Sequence, residues 1–201
     1  MKTKIAVFDY CETLVDMQTG NNFISYYFLI NSNIIKRLAA YFFCNLRIFK
    51  KKRKFLLLYL LSGESQSDIE NAAHKFVDNR LINAENTKVI EQIKNLDHKG
   101  FKLVIISAGY KVYIDKHNER LNVDLVIANE LSYVNKICTG KLTQKDCYGE
   151  NKIERLKDAF PGEVIDYENS YFYSDCMSDL PLFKKIGNSF LVTKNNITKF
   201  C

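Results

Sequence analysis

Three apolar runs in the sequence each end on an oxygen-bearing side chain. Lys4-Ile-Ala-Val-Phe8 ends on Asp9, Phe101-Lys-Leu-Val-Ile-Ile106 on Ser107, and Tyr171-Phe-Tyr-Ser174 on Asp175. Short buried runs of this kind read as strands of a parallel sheet, and open parallel sheets bind ligands outside the carboxyl ends of their strands. Neighbouring strands would bring Asp9, Ser107 and Asp175 to one rim. Two carboxylates and a hydroxyl suit a hard cation and a phosphate. Oxygen donors select magnesium, which keeps several waters and takes one or two carboxylates plus phosphate oxygens. Lys152, at the opening of a later helix, has the charge to screen a phosphate. Taken singly, each reads first as a solvated strand end; four in this order argue for one site.

The elements that must position them follow from local pattern. Residues 17–63 have the aromatic and aliphatic clustering of helices and no strand alternation. Ser67 and Glu70 have the spacing of a capping box at the start of another helix. A third helical stretch, Asn86 to Lys99, places Val89, Ile90, Ile93 and Leu96 on one face and stops at Gly100, a residue suited to a left-handed cap. Beyond it come a strand to Ser107, a helix from Val112 to Leu121, and a strand from Val123 to Ala128. A hairpin from Tyr133 to Leu142 turns at Asn135-Lys136. A helix runs from Lys152 to Ala159 and ends before Pro161-Gly162. The strand to Asp175 follows, then a short helix and a strand from Ser189 to Thr193. Strand and helix alternate on both sides of a helical block, which predicts an α/β core and a helical insertion after the first strand. The expected division is a core of residues 1–16 and 86–201 and an inserted cap of residues 17–85.

Composition sets the bounds. The 201 residues are 47% hydrophobic and 26% charged, proportions that exclude a disordered or low-complexity chain. The excess of 29 Lys and Arg over 23 Asp and Glu is concentrated. Between Met17 and Gly63 there is no acidic residue, while Lys36, Arg37, Arg47, Lys50, Lys51, Lys52, Arg53 and Lys54 are all basic. Any contact with polyanions or a membrane surface must sit there, through residues 36–54; the blander reading is a solvated face over an aromatic cap core. No nucleic-acid-binding motif accompanies the charge, so no such partner is expected. The six cysteines have neither CxxC nor zinc-ligand spacing. The purest apolar run, Phe55 to Leu61, is far short of the roughly 20 residues needed to span a bilayer. The first residues reach Asp9 too soon for a secretory signal. A cytoplasmic protein with reduced thiols is expected, with peripheral membrane contact left open.

Phe8-Asp9-Tyr10-Cys11-Glu12-Thr13-Leu14 resembles the first motif of the haloacid-dehalogenase superfamily. Ile105-Ile106-Ser107-Ala108-Gly109 is similar to its second, Gly149-Glu150-Asn151-Lys152 to its third, and Ser174-Asp175-Cys176-Met177-Ser178-Asp179 to its fourth. Residues 96–194 look most like the phosphoserine-phosphatase-like branch, including Thr139-Gly140-Lys141-Leu142. The resemblance implies a Rossmann-like parallel sheet with an α-helical cap. It implies Asp9 as a nucleophile forming an aspartyl-phosphate, and Ser107 and the Gly109 amide as holders of phosphoryl oxygens. Lys152 would stabilise charge. Mg²⁺ would be bound by Asp9, the backbone carbonyl of Cys11 and Asp175, with Asp179 close by.

Cys11 departs from the family pattern, in which an aspartate two residues after the nucleophile acts as acid and base. A thiol has a reference pKa of about 8.5 against about 3.9 for aspartate. General acid–base help is typically worth about 10² to 10⁴ in rate. Three outcomes follow: a slow phosphatase, an enzyme for good leaving groups, or a phosphate-binding or scaffold protein without turnover. Glu12 is a substitute acid only if it turns toward the site, and adjacent residues usually point apart. Gln18 stands where the branch usually carries a glutamate for the substrate's amino group, which argues against phosphoserine. With the basic aromatic cap it favours a more anionic or amphiphilic small phosphorylated substrate, and a membrane-surface lipid-phosphate phosphatase is the remaining alternative.

Overall fold

The computed structural model describes residues 2–31, 34–45, 50–194 and 196–200, with the side chains of 43–45 and 50–52 outside the description. Strand β1 (Ile5–Asp9) is followed by helices α1 (Thr19–Ile30), α2 (Ile34–Asn45), α3 (Lys50–Leu60), α4 (Gln66–Phe76) and α5 (Thr87–His98). Next come β2 (Lys102–Tyr110), α6 (Lys111–Leu121), β3 (Leu125–Asn129), β4 (Leu131–Val134), β5 (Ile137–Leu142) and α7 (Glu150–Asp158). The chain closes with β6 (Tyr171–Ser174), α8 (Leu180–Lys185), β7 (Asn188–Thr193) and β8 (Asn196–Lys199).

β1 is buried at every position, as a strand must be when helices cover both faces of a parallel sheet. It lies between β2 and β6, parallel to both, in a sheet of order β3-β2-β1-β6-β7-β8. One face of the sheet packs Phe8, Leu103, Ile105 and Tyr173 toward the helices that follow β1. The other packs Ile5, Val7, Val104, Ile106 and Phe172 against α7 and α8. Successive residues of one strand thus enter two different cores. Asp9 at the end of β1 and Asp175 just after β6 share one rim with Ser107, which does not end its strand as expected: β2 runs three residues further, to Tyr110.

Two local expectations are corrected. The cap of α4 is Ser65, not Ser67: its backbone is extended (φ −72°, ψ 146°) and its hydroxyl accepts from the Asp68 amide at 3.1 Å. The Ser-x-x-acid spacing is therefore met two residues earlier, by Ser65 and Asp68, because Gln66 and Ser67 are already helical. The sheet also continues past Thr193 into β8, an antiparallel edge strand paired with β7 that four residues of mixed polarity do not announce. The β4–β5 hairpin turns where expected, with Asn135 (φ 49°) and Lys136 (φ 63°) both left-handed, the two-residue geometry that matches strand twist. It pairs with the segment after α3 through Gly63 N to Cys138 O (2.9 Å) and Cys138 N to Glu64 O (2.8 Å), and so buttresses the helical block.

The block joins the core through two neighbouring chain segments. Asp16 N donates to Ala84 O (2.7 Å) and Asn86 N to Leu14 O (2.9 Å). Beside them, fully buried His117 bridges Tyr10 and Glu85 at 2.7 and 3.0 Å. The Glu85 carboxylate accepts from Nε2, which leaves Nδ1 to accept from the Tyr10 hydroxyl. Arg120 also donates to Glu85, at 2.8 Å from Nε. Burial lowers the His117 pKa, more than the Glu85 carboxylate raises it. Burial alone would raise Glu85, but hydrogen bonds from Arg120 and His117 hold it below the usual range. Among the described residues, no helix is long and apolar enough to cross a membrane.

Both shifts have the same sign for stability. The folded state binds fewer protons than the unfolded chain below the unfolded histidine pKa of about 6.5, so stability falls as pH drops from there. Asp9 and Asp175, both raised in the folded state, act in the opposite sense over the same range. The contribution of the bridge is therefore read as the difference in thermal midpoint between the parent and His117→Gln, followed by circular dichroism. His117→Gln should lower the midpoint at pH 7.5, and that difference should shrink between about pH 6.5 and pH 5; a difference that does not change with pH would mean that His117 does not titrate with folding.

Candidate active site

Asp9 ends β1 with its side chain almost fully buried, and Lys152 reaches it from the first turn of α7. The Lys152 ammonium donates to Asp9 Oδ1 (2.8 Å) and Asp179 Oδ2 (2.6 Å), and all three side chains are at least nine-tenths buried. Burial works against the charged lysine, but the two carboxylates outweigh it and hold its pKa well above the usual value. Asp9 is pushed upward by burial in spite of Lys152. Ser174 donates to the same Asp179 oxygen at 2.8 Å, while Asp179 Oδ1 is buried with no hydrogen-bond partner among the described residues.

Asp175 follows β6 and is fixed from the other side by Thr13. The Thr13 hydroxyl donates to Asp175 Oδ1 (3.2 Å) and accepts from the Asp175 amide (2.9 Å). Burial, then the charge of Asp9, push Asp175 up to about 7. Two neighbouring carboxylates forced upward in this way are a place for a cation. Among the described residues, no three His, Cys, Asp or Glu side chains form a cage of their own. Asp9, Asp175 and main-chain oxygen could hold an ion that completes its shell with water and phosphate.

Ser107 lies at the corresponding point of β2, and its hydroxyl accepts from the Gly109 amide at 2.9 Å. The backbone at Gly109 is closely overlaid: a Cβ there would stand 2.5 Å from the Tyr113 hydroxyl. Cys11 is half-buried, with Sγ 2.9 Å from Thr19 Oγ1 and 4.0 Å from Ser107 Oγ. Burial and the Asp9 charge push its thiol up, so it is uncharged near neutral pH. Thr19 is in turn 2.8 Å from the Tyr113 hydroxyl. Gln18 caps α1 and its side-chain amide donates to Glu12.

All of the residues singled out in the sequence, Asp9, Cys11, Gln18, Ser107, Gly109, Lys152, Asp175 and Asp179, line a single pocket of about 520 Å³. Glu12, Lys54 and Phe55 are among the further residues that line it. Glu12, expected to point away, is turned into the pocket by a left-handed backbone (φ 56°). Lys54 and Phe55 enter from α3; the Lys54 ammonium donates to Ala108 O at 2.8 Å and pairs with Asp146, which also accepts from Asn129. Lys54 was legible only as the last of a basic run. Lys36, at the other end of the run, pairs with Glu64 (2.6 Å), while Arg47 and Phe49, and the side chains of Phe43 and Lys50 to Lys52, lie outside the described residues.

Comparison with known proteins agrees with this geometry. The family model for haloacid dehalogenase-like hydrolases matches residues 6–184, and the chain belongs to that family. A phosphoserine phosphatase of Methanocaldococcus jannaschii is 30% identical over 106 residues, covering 48% of this chain and 46% of that protein. The chain thus matches about half the length of such curated relatives. In three dimensions it superposes on a Bordetella pertussis Tohama I protein of unknown function with a TM-score of 0.78, at 17% identity over 94% of this chain and 89% of the other. It superposes on an apo phosphoserine phosphatase with a TM-score of 0.68, at 22% identity over 94% and 85%. These likenesses establish the mostly parallel α/β fold.

Removing the ammonium leaves Asp9 and Asp179 facing each other without a counter-charge, a change that costs about 3–5 kcal/mol for a buried pair. Lys152→Met should lose that much in urea denaturation, followed by circular dichroism because the chain has no tryptophan. Adding Asp179→Asn should restore part of the loss, and no restoration would mean the two carboxylates do not share the lysine.

Proposed function

We propose that this chain is a phosphomonoester hydrolase that uses Mg²⁺ and forms an aspartyl-phosphate on Asp9, with slow turnover caused by Cys11. The observation that carries the reading is Asp9 itself. Its carboxylate is held by Lys152 at a strand end, on the wall of a pocket that also receives Ser107, Gly109 and Asp175. The name of the Methanocaldococcus jannaschii relative, a phosphoserine phosphatase, points the same way. The helices between Thr19 and Phe76 act as a cap over the pocket, with Lys54 and Phe55 as the parts that reach in.

A substrate phosphoryl group is received by the Ser107 hydroxyl and the Gly109 amide, beside the Lys152 ammonium. An Asp9 carboxylate oxygen attacks phosphorus while the bond to the leaving oxygen breaks, and that oxygen takes up a proton. Water then attacks the acyl phosphate and releases phosphate and free Asp9. Splitting one displacement into two is the gain of a covalent intermediate, and phosphoryl transfer asks a protein mainly for placement and charge. A Mg²⁺ ion held by Asp9, Asp175 and the Cys11 carbonyl, with Asp179 behind, would neutralise the phosphoryl oxygens. The Cys11 thiol is the weak element: half-buried and uncharged, it is a poorer acid toward an alkoxide than a carboxylic acid. Gln18, already engaged by Glu12, offers an amide to the substrate. The partners proposed are a small phosphorylated substrate in the pocket and an anionic membrane, met peripherally through residues 36–54. Cys11 alone favours the rival, a phosphate-binding protein with little turnover.

A release assay across phosphorylated sugars, amino acids and lipid head groups, with Mg²⁺ and with EDTA, separates these readings. Asp9→Asn should abolish release and EDTA should suppress it. Cys11→Asp should raise the rate by about 10²-fold or more for alkyl esters and much less for aryl esters, whose leaving groups need no proton. Release unchanged in Asp9→Asn would remove the nucleophile from the proposal.

A further inference from the structure

Helix α2 carries its large apolar residues on the outside. Ile34, Ile35, Leu38 and Phe42 are 70%, 81%, 64% and 61% exposed, whereas Ala40, on the opposite side, is buried. At about 100° per residue these four fall within an arc of about 100°. Arg37 and Tyr41, one turn apart, border the arc. They also line a second cavity, of about 340 Å³, between α1, α2 and the residues after α4. Arg80 enters that cavity from a single π-helical turn, Val77–Leu81, an irregularity that is frequent at functional sites. Tyr26, Leu29 and Phe76 supply apolar walls, and no carboxylate lines it. Among the described residues, neither Arg37 nor Arg80 is within ion-pair distance of an acid.

We infer that the α2 face is a docking surface for an anionic membrane, with a lipid phosphate held between Arg37 and Arg80. Charge chooses this occupant. A second copy would set the same acid-free, basic segment, Met17 to Gly63, against itself, and like charges across a two-fold interface repel. A bilayer of anionic lipid offers an apolar layer for Ile34, Ile35, Leu38 and Phe42 and phosphates at the depth of the arginines. Lys36 and Lys54 take no part, since Glu64 and Asp146 hold them. The inference rests on the peripheral contact proposed for residues 36–54 and narrows it to one helix face and one cavity. The face is separate from the Asp9 pocket.

Flotation of the purified chain with vesicles tests it, using phosphatidylcholine alone and with about 30% phosphatidylserine, at about 0.1 M and about 1 M salt. The chain should float with the anionic vesicles at low salt. Ile35→Ser/Leu38→Ser and Arg37→Gln/Arg80→Gln should each lose at least about ten-fold in bound fraction, with unchanged circular dichroism and unchanged release from p-nitrophenyl phosphate. Flotation that survives in both pairs but is lost in Lys50→Gln/Lys51→Gln/Lys52→Gln would overturn this site and leave the broader contact standing. No flotation of the parent chain would overturn both, while p-nitrophenyl phosphate release would still report on the enzyme. A dimer in sedimentation that Ile35→Ser/Leu38→Ser dissociates would assign the face to a second copy and overturn the inference.

Discussion

The site depends on one buried ammonium. Lys152 stands between Asp9 and Asp179, and without it two carboxylates would meet in the interior with nothing to offset their charge. A buried ion group of this kind seldom raises stability, because removing its members from water costs about as much as their attraction returns. Its effect is geometric. It ties the end of β1 to α7 and to the turn after β6, so three elements far apart in sequence share one corner. Ser174 from β6 and Thr13 from the segment after β1 complete the arrangement, each by hydrogen bonds to an aspartate after β6.

The parallel sheet is the second constraint, because it decides which end of each strand carries polar residues. β1 is buried over its whole length, so its first chance to present a carboxylate to a ligand comes where the strand runs out. Ser107 instead comes before the end of β2, where register shifts between Ile106 and Tyr110. That irregularity lets Ser107 and the Gly109 amide turn toward one point while the strand continues. From the helical block Lys54 and Phe55 reach the same pocket, and the His117 bridge binds the block's point of attachment to the residue between Asp9 and Cys11.

Much of this was legible in the sequence because it rests on short-range pattern. Apolar runs ending in Asp9, Ser107 and Asp175 announce buried strands, and Asn135-Lys136 marks a tight turn. Residues set by distant contacts were hidden. Lys54 looked like one more solvated lysine because nothing local reveals that α3 aims it at Ala108 and Asp146. Glu12 looked turned away because a left-handed residue cannot be inferred from glutamate. β8 was missed because an exposed edge strand carries little apolar signal. The Ser65 cap was misplaced by two residues because both serines have an acid three positions on, and only the backbone decides between them.

The strand order also has a consequence for how the chain reaches its fold. β1 pairs with residues that begin at Lys102 on one side and Tyr171 on the other. During synthesis this apolar strand must therefore wait for about a hundred residues before its first partner exists, and longer for its second. Closing loops of that length before any pairing is gained slows assembly and leaves an aggregation-prone segment uncovered. The helical block, whose contacts are local, can form in the meantime, so the segment bearing Asp9 is made early and buried late.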